Sequence, residues 1–202
     1  LSRGLGDVYK RQVFNHVYDM GRHALQRTVP DYFFQMNEEG SYSNGSFCGN
    51  DIDTTRKMSS RYFVETCRIL CELYHIDGFR FDLMGILDID TMNEIYRVCR
   101  SIQPDFMIYG EGWDMPSFLS SDKRASMFHT WEMPGIGHFS DRFRDVVKGK
   151  TSPYDVAVKG YCSGAAYLID IMKNCLCGSV NDLGGSRMFA DPVHVVNYVE
   201  CH

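Results

Sequence analysis

Arg80, Asp82 and Glu111 are the residues of this sequence best equipped for chemistry. In Gly78-Phe79-Arg80-Phe81-Asp82-Leu83-Met84-Gly85, charged and apolar residues alternate. A strand there sets Arg80 and Asp82 on one side and Phe79 and Phe81 on the other. An arginine beside a carboxylate keeps it ionised, which a nucleophile or a charge stabiliser requires. Glu111 lies in Tyr109-Gly110-Glu111-Gly112-Trp113-Asp114, between two glycines and close to Trp113. Its carboxyl is expected near apolar aromatic surface, where the protonated form of a general acid is favoured. Two carboxylates of opposite protonation suit the cleavage of a glycosidic bond, with retention of configuration at a separation of roughly 5 to 5.5 Å. A third polar patch, Phe14-Asn15-His16-Val17-Tyr18-Asp19, completes the set.

These patches need elements that bring them together. Val13 to Val17 reads as the end of a strand, and Asp53 or Thr54 caps a long helix with apolar residues at Met58, Tyr62, Phe63, Ile69, Leu70 and Leu73. The period changes to two at Gly78. Asp88 or Asp90 caps a second helix that Pro104 stops, and Phe106 to Tyr109 is a compact strand. A weak strand is expected at Met127 to His129, helices at Phe139 to Val147 and Ala165 to Leu176, and a strand from His194 to Cys201. Strands alternating with helices imply one α/β unit with parallel strands. The carboxyl ends of such strands open on one face, so residues about 30 positions apart converge there.

Composition narrows the class. The 202 residues carry 21 Lys plus Arg against 26 Asp plus Glu, a net charge of −5, which argues against nucleic acid as a partner. With 44% hydrophobic and 23% charged residues the chain is core-forming, and no apolar run reaches the roughly 18 residues of a membrane span. The 8 cysteines are expected to be buried reduced thiols, because Cys67/Cys71 and Cys175/Cys177 do not make two pairs at zinc spacing. Thiol content and the lack of a leader point to a cytoplasmic protein. His23, His75, His129, His138 and His194 have no motif partner, and Asp141, Arg142, Arg144 and Asp145 read as a solvated, salt-bridged helix face.

Taken together, the patches resemble the α-amylase superfamily of glycoside hydrolases. Its four ordered strand-end motifs are matched by Val13 to Val17, Gly78 to Gly85, Tyr109 to Asp114 and Val196 to His202. Within the superfamily, Gly-Phe-Arg-Phe-Asp-Leu-Met-Gly, Tyr-Gly-Glu-Gly-Trp and Phe139-Ser140-Asp141-Arg142-Phe143-Arg144-Asp145 resemble type I pullulanases, over residues 13 to 202. The resemblance implies an α/β fold that is a fragment of a TIM (β/α)8 barrel, about strand three to strand seven. It implies Asp82 as the nucleophile, Glu111 as acid and then base, and Arg80 holding the nucleophile ionised. His16 and His202 would bind the sugar, Trp113 would wall the glucan, and Asn15 would support the site. The implied partner is a branched α-glucan cleaved at α-1,6 linkages. An α-1,4-acting amylase or a branching transferase shares the two carboxylates, and a non-catalytic glucan-binding barrel need not keep them. No cofactor is implied, and no loop has the ligand spacing of the structural calcium known in the superfamily.

Departures from the pattern carry their own expectations. The family's fourth motif continues from His202 into an aspartate, whereas this chain ends at His202; another aspartate, two residues before Val13, is replaced by Arg11. The upstream tyrosine-rich motif, the first two barrel strands, the eighth and the accessory β domains have no counterpart. Residues 1–12, glycine-rich and basic, read as a non-native leader to a partial barrel over 13–202. A parent protein that debranches and a 202-residue piece that by itself does not turn over are both expected.

Overall fold

The computed structural model describes residues 9–152 and 154–200. They form two compact units, one running to Ile136 and the other from Gly137. In chain order the first unit holds β1 (Tyr9–Gln12), β2 (His16–Val17), α1 (Ala24–Thr28), β3 (Asn50–Asp51), α2 (Lys57–Tyr74), β4 (Gly78–Phe81), α3 (Ile89–Ile102) and β5 (Met107–Gly110).

Parallel pairing organises this unit. β4 lies between β1 and β5, with Gln12↔Phe81 closing one register and Phe81↔Gly110 the other. The expected strand end at Val13 to Val17 falls earlier, at Gln12, while His16 and Val17 pair antiparallel with Asp51 and Asn50. Lys10 and Arg11 are charged, yet a parallel ladder uses main-chain groups and accepts them at an edge position.

Two amphipathic helices cover the sheet. Cys67 and Cys71 of α2 and Met92, Ile95 and Cys99 of α3 bury against Phe79 and Phe81, which are fully inaccessible. Asp88 caps α3 by accepting the Thr91 N–H at 3.0 Å. α2 begins later than the Asp53 and Thr54 signals suggest, because Asp53 accepts the Thr55 N–H at 3.1 Å and holds the turn before the helix. α2 ends on His75 in the left-handed conformation, its N–H donated to Cys71 at 3.1 Å. The expected strand at Met127 to His129 is instead a 3-10 segment, Met127–Glu132, whose first N–H is donated to the Gly112 carbonyl at 2.7 Å. A short apolar run without a period offered no way to tell the two apart.

From Gly137 on, the second unit holds all but the first residue of β6 (Ile136–Phe139), then α4 (Asp141–Lys148), α5 (Ile169–Leu176) and β7 (Val195–Val196), with β7 parallel to β6. Of the expected strand over His194 to Cys201, the described residues form strand only at Val195–Val196, and Cys201 lies outside them. Ser140 caps α4 through the Phe143 N–H at 3.2 Å. Its charged face is a packed network rather than a solvated one: Arg144 reaches Asp141 at 3.1 Å, Asp145 at 2.8 Å and the Tyr198 hydroxyl at 2.7 Å. Of the described cysteines Cys67, Cys71, Cys99 and Cys175 are buried, and burial pushes the Cys99 thiol up to about 12; Cys48, Cys162 and Cys177 are exposed. Among the described residues no helix is long and apolar enough to cross a membrane.

One buried amide ties the loops of the first unit. Gln35 donates to the Ile52 carbonyl at 3.0 Å and the Ile86 carbonyl at 3.3 Å, and accepts the Leu119 N–H at 3.0 Å. Gln35→Leu keeps the volume but removes a partner from each of these groups. The expected loss is about 3 kcal/mol, read as a lower urea midpoint at an unchanged slope.

Candidate active site

Asp82 and Glu111 each stand one residue past the end of a strand, and those strand ends are registered neighbours. The Asp82 N–H extends the β1 ladder to the Gln12 carbonyl at 3.0 Å, and the Glu111 N–H extends the β4 ladder to the Phe81 carbonyl at 3.0 Å. Adjacent strands run roughly 4.8 Å apart, so the two residues leave the sheet side by side.

One guanidinium stands between them. Arg80 Nη2 is 2.8 Å from Glu111 Oε1 and 3.8 Å from Asp82 Oδ1, with all three side chains largely buried. Alternation along β4 thus brings Arg80 and Asp82 to one side, while Phe79 and Phe81 enter the core. Glu111 also accepts the Leu83 N–H at 3.0 Å. Two of its partners are thus a cation and a main-chain N–H, neither announced by the aromatic surface expected from Trp113. Leu83 achieves this contact in the left-handed region, at φ 42°. A non-glycine residue rarely adopts that conformation, and here it turns the chain away from Asp82 and aims an N–H at Glu111.

The first patch holds Asp82 from behind. Fully buried Asn15 donates its amide to the Asp82 main-chain carbonyl, and its Oδ1 pairs with His16 Nδ1. Burial lowers the His16 pKa from its ordinary value, against the opposing pull of Asp51 and Asp82. Asp51, paired with His16 across β2 and β3, is a buried carboxylate accepting the Gly45 N–H at 2.6 Å, the Ser46 N–H at 3.1 Å and the Ser43 hydroxyl. Loop polarity without period gave no sign of it.

Trp113 is half-buried and is fixed through its main chain. A Cβ built on Gly85 would lie 1.9 Å from the Trp113 carbonyl oxygen, so the loops after β4 and β5 touch backbone to backbone. Asp114, next along, pairs with Arg124 at 2.7 Å. The structure therefore brings Asn15, His16, Arg80, Asp82 and Glu111 into one connected cluster, with Trp113 beside it. His202 lies outside the described residues.

Arg11, which stands where the family has an aspartate and to which the sequence assigns no role, joins the cluster. Arg11 Nε reaches Asp82 Oδ1 at 2.8 Å and Oδ2 at 2.9 Å. Its register partner on β4 is Arg80, so both arginines rise on the same side of the sheet.

No family model matches the chain. It is 37% identical to a pullulanase of Bacillus subtilis over 190 residues, 94% of this chain and 26% of that protein. The crystal structure of a pullulanase from an Anoxybacillus species superposes with a TM-score of 0.90 at 38% identity, covering 96% of this chain and 27% of that one. The same Anoxybacillus pullulanase complexed with maltotriose matches equally, with a TM-score of 0.90. The chain thus spans about a quarter of the length of these relatives.

Two outcomes follow from this geometry. Because His16 has a lowered pKa, the unfolded chain takes up its proton first as pH falls. The stability contributed by neutral His16 is present above the ordinary value of about 6.5 and is lost as pH falls below it, levelling under the folded value. Urea unfolding between about pH 5 and pH 7.5 is expected to show this slope, and His16→Gln to flatten it. Gly85→Ala drives a methyl into the Trp113 carbonyl, and is expected to lower the thermal midpoint by several degrees, with about 2 kcal/mol or more lost.

Proposed function

From the premise that this chain belongs to the pullulanase family, we propose that the protein carrying it is a retaining glycosidase that cleaves α-1,6 branch linkages in pullulan, amylopectin or glycogen-type glucans. The observation that carries this reading is the Asp82–Arg80–Glu111 triplet on neighbouring strand ends. Asp82 is the nucleophile: it attacks the anomeric carbon while Glu111 protonates the departing glycosidic oxygen, and the same carboxylate then takes a proton from the water that releases the sugar.

Arg80 serves both halves of that cycle. The cycle needs the charge on Asp82 and a proton on Glu111 before attack, and the charge on Glu111 once Asp82 is esterified; the spacing seen here, with Arg80 nearest Glu111, is that of the second state. A guanidinium 2.8 Å from one carboxylate and 3.8 Å from the other can follow it with a small movement. His16 and Trp113 bind and wall the sugar, Asn15 steadies Asp82, and His202 contributes from the fourth motif.

The same reading takes the parallel strands as about strand three to strand seven of a TIM (β/α)8 barrel, with residues 1–12 as a non-native leader whose last four residues, Tyr9–Gln12, pair with β4. The free thiols among the described residues support a cytoplasmic location. The maltotriose bound by the Anoxybacillus pullulanase supports a glucan as the ligand.

The test is to express the chain together with the sequence its gene encodes on either side and to assay maltotriose release from pullulan. Release is expected, and Asp82→Asn is expected to lose at least about a thousandfold in kcat. Cleavage of amylose with pullulan spared would keep the two-carboxylate mechanism and remove the debranching assignment. Glucan binding without any cleavage would remove the mechanism as well.

A further inference from the structure

We propose that Phe47 is a sugar-binding platform beside the site, setting how tightly the glucan chain is held; this rests on the reading of the cluster around Asp82 and Glu111 as a glucan-cleaving site. The Phe47 ring is 73% exposed and adds little to the core. Its backbone nevertheless lies in the left-handed region, at φ 57°, which a bulky side chain rarely adopts. A residue that costs the fold strain and gives it little burial in return points to a use outside folding.

The loop that carries Phe47 is tied at several points. Buried Asp51 accepts the Gly45 N–H at 2.6 Å and the Ser46 N–H at 3.1 Å, and the Asn44 side chain accepts the Gly49 N–H at 3.1 Å. The Phe47 N–H closes a turn on the Asn44 carbonyl at 3.2 Å. Relaxing Phe47 toward an extended conformation would open this turn. A ring presented in this way is preorganised, and it gives up little entropy when a ligand covers it.

Glycines on either side of Phe47 set it next to the site. A Cβ on Gly49 would lie 2.7 Å from the Tyr18 Cα, so one flank of the loop presses on the segment that follows His16. A Cβ on Gly45 would lie 2.7 Å from the Ser117 nitrogen, so the other flank presses on the loop that follows Glu111 and Trp113. The Phe118 N–H adds a bond to the Ser43 hydroxyl at 3.2 Å. Each of the two abutting segments brings an exposed ring of its own, Tyr18 at 90% and Phe118 at 47%. Three rings on touching segments, beside paired carboxylates, suit a ligand with polar edges and apolar faces. A chain of pyranose rings is such a ligand.

Calorimetric titration with maltotriose tests the platform without turnover. The gene-encoded protein carries Glu111→Gln so that the probe stays intact, and it is compared with and without Phe47→Gly and Phe47→Tyr. Phe47→Gly removes the ring and suits the left-handed backbone, so its two effects are favourable for the fold and unfavourable for binding. The Kd for maltotriose is expected to rise about fivefold to tenfold, the worth of one aromatic contact. The thermal midpoint is expected to rise by about 1 °C. Phe47→Tyr keeps the aromatic face and is expected to hold the Kd within about twofold of the unsubstituted value. An unchanged Kd in Phe47→Gly overturns the platform, as does an unsubstituted protein that binds no maltotriose. A lowered midpoint in Phe47→Gly also overturns it, because the ring then packs within the protein.

Maltotriose release from pullulan, measured without Glu111→Gln, judges the reaction separately. A protein that binds maltotriose through Phe47 and cleaves no glucan keeps the platform and loses the reaction. One that cleaves pullulan and binds maltotriose equally well as Phe47→Gly keeps the reaction and loses the platform.

Discussion

The registered meeting of β4 and β5 is the constraint on which the site depends. Phe81 opposite Gly110 makes Asp82 and Glu111 neighbours at the ends of adjacent parallel strands. Two carboxylates that close repel one another unless a cation intervenes, and Arg80 supplies it from the strand that carries Asp82. A slip of one residue would turn Arg80 and Asp82 toward the helices and bring phenylalanine to the site side. Burial of Phe79 and Phe81 among the residues of α2 and α3 makes that slip costly, so the apolar half of the strand secures the placement of the charged half.

Around that pair, support comes from short-range fits that use main chain more than side chain. Leu83 turns at φ 42° so that its N–H meets Glu111, Gly85 lets the Trp113 carbonyl approach, and Asn15 grips the Asp82 carbonyl. Gln35 ties residues 52, 86 and 119 from beneath. Each of these contacts is buried or sterically exact in one direction, which favours a single arrangement of the loops over a family of similar ones.

Much of this was legible in the sequence, for a definite reason. The helices ending near His75 and Gln103 and the strands at Gly78 and Met107 carry strong periods, and a period is a statement about burial that tertiary contacts reinforce. The convergence of Asp82 with Glu111 followed from parallel topology alone. Other features were hidden because they depend on contacts between residues far apart in the chain. Nothing in Asn50-Asp51-Ile52 marks Asp51 as buried, and nothing next to Gln35 announces three hydrogen-bond partners. Arg80, 31 positions away, is a partner of Glu111 that the residues next to it in sequence do not announce. The segment Tyr9–Gln12 resisted reading because its charges mask a strand whose pairing is made by main-chain atoms.

That indifference of main-chain pairing to side-chain type has a consequence for how such a site can vary. The ladder from β1 to β4 holds whatever residue stands at position 11, and the register delivers that residue beside Asp82. Position 11 is thus a socket: the scaffold sets where its occupant sits, and the occupant sets the charge that the carboxylate feels. The family's aspartate and the arginine found here would occupy the same place on that ladder with opposite charge beside Asp82. Sites built on strand edges separate the evolution of strength from the evolution of stability, residue by residue.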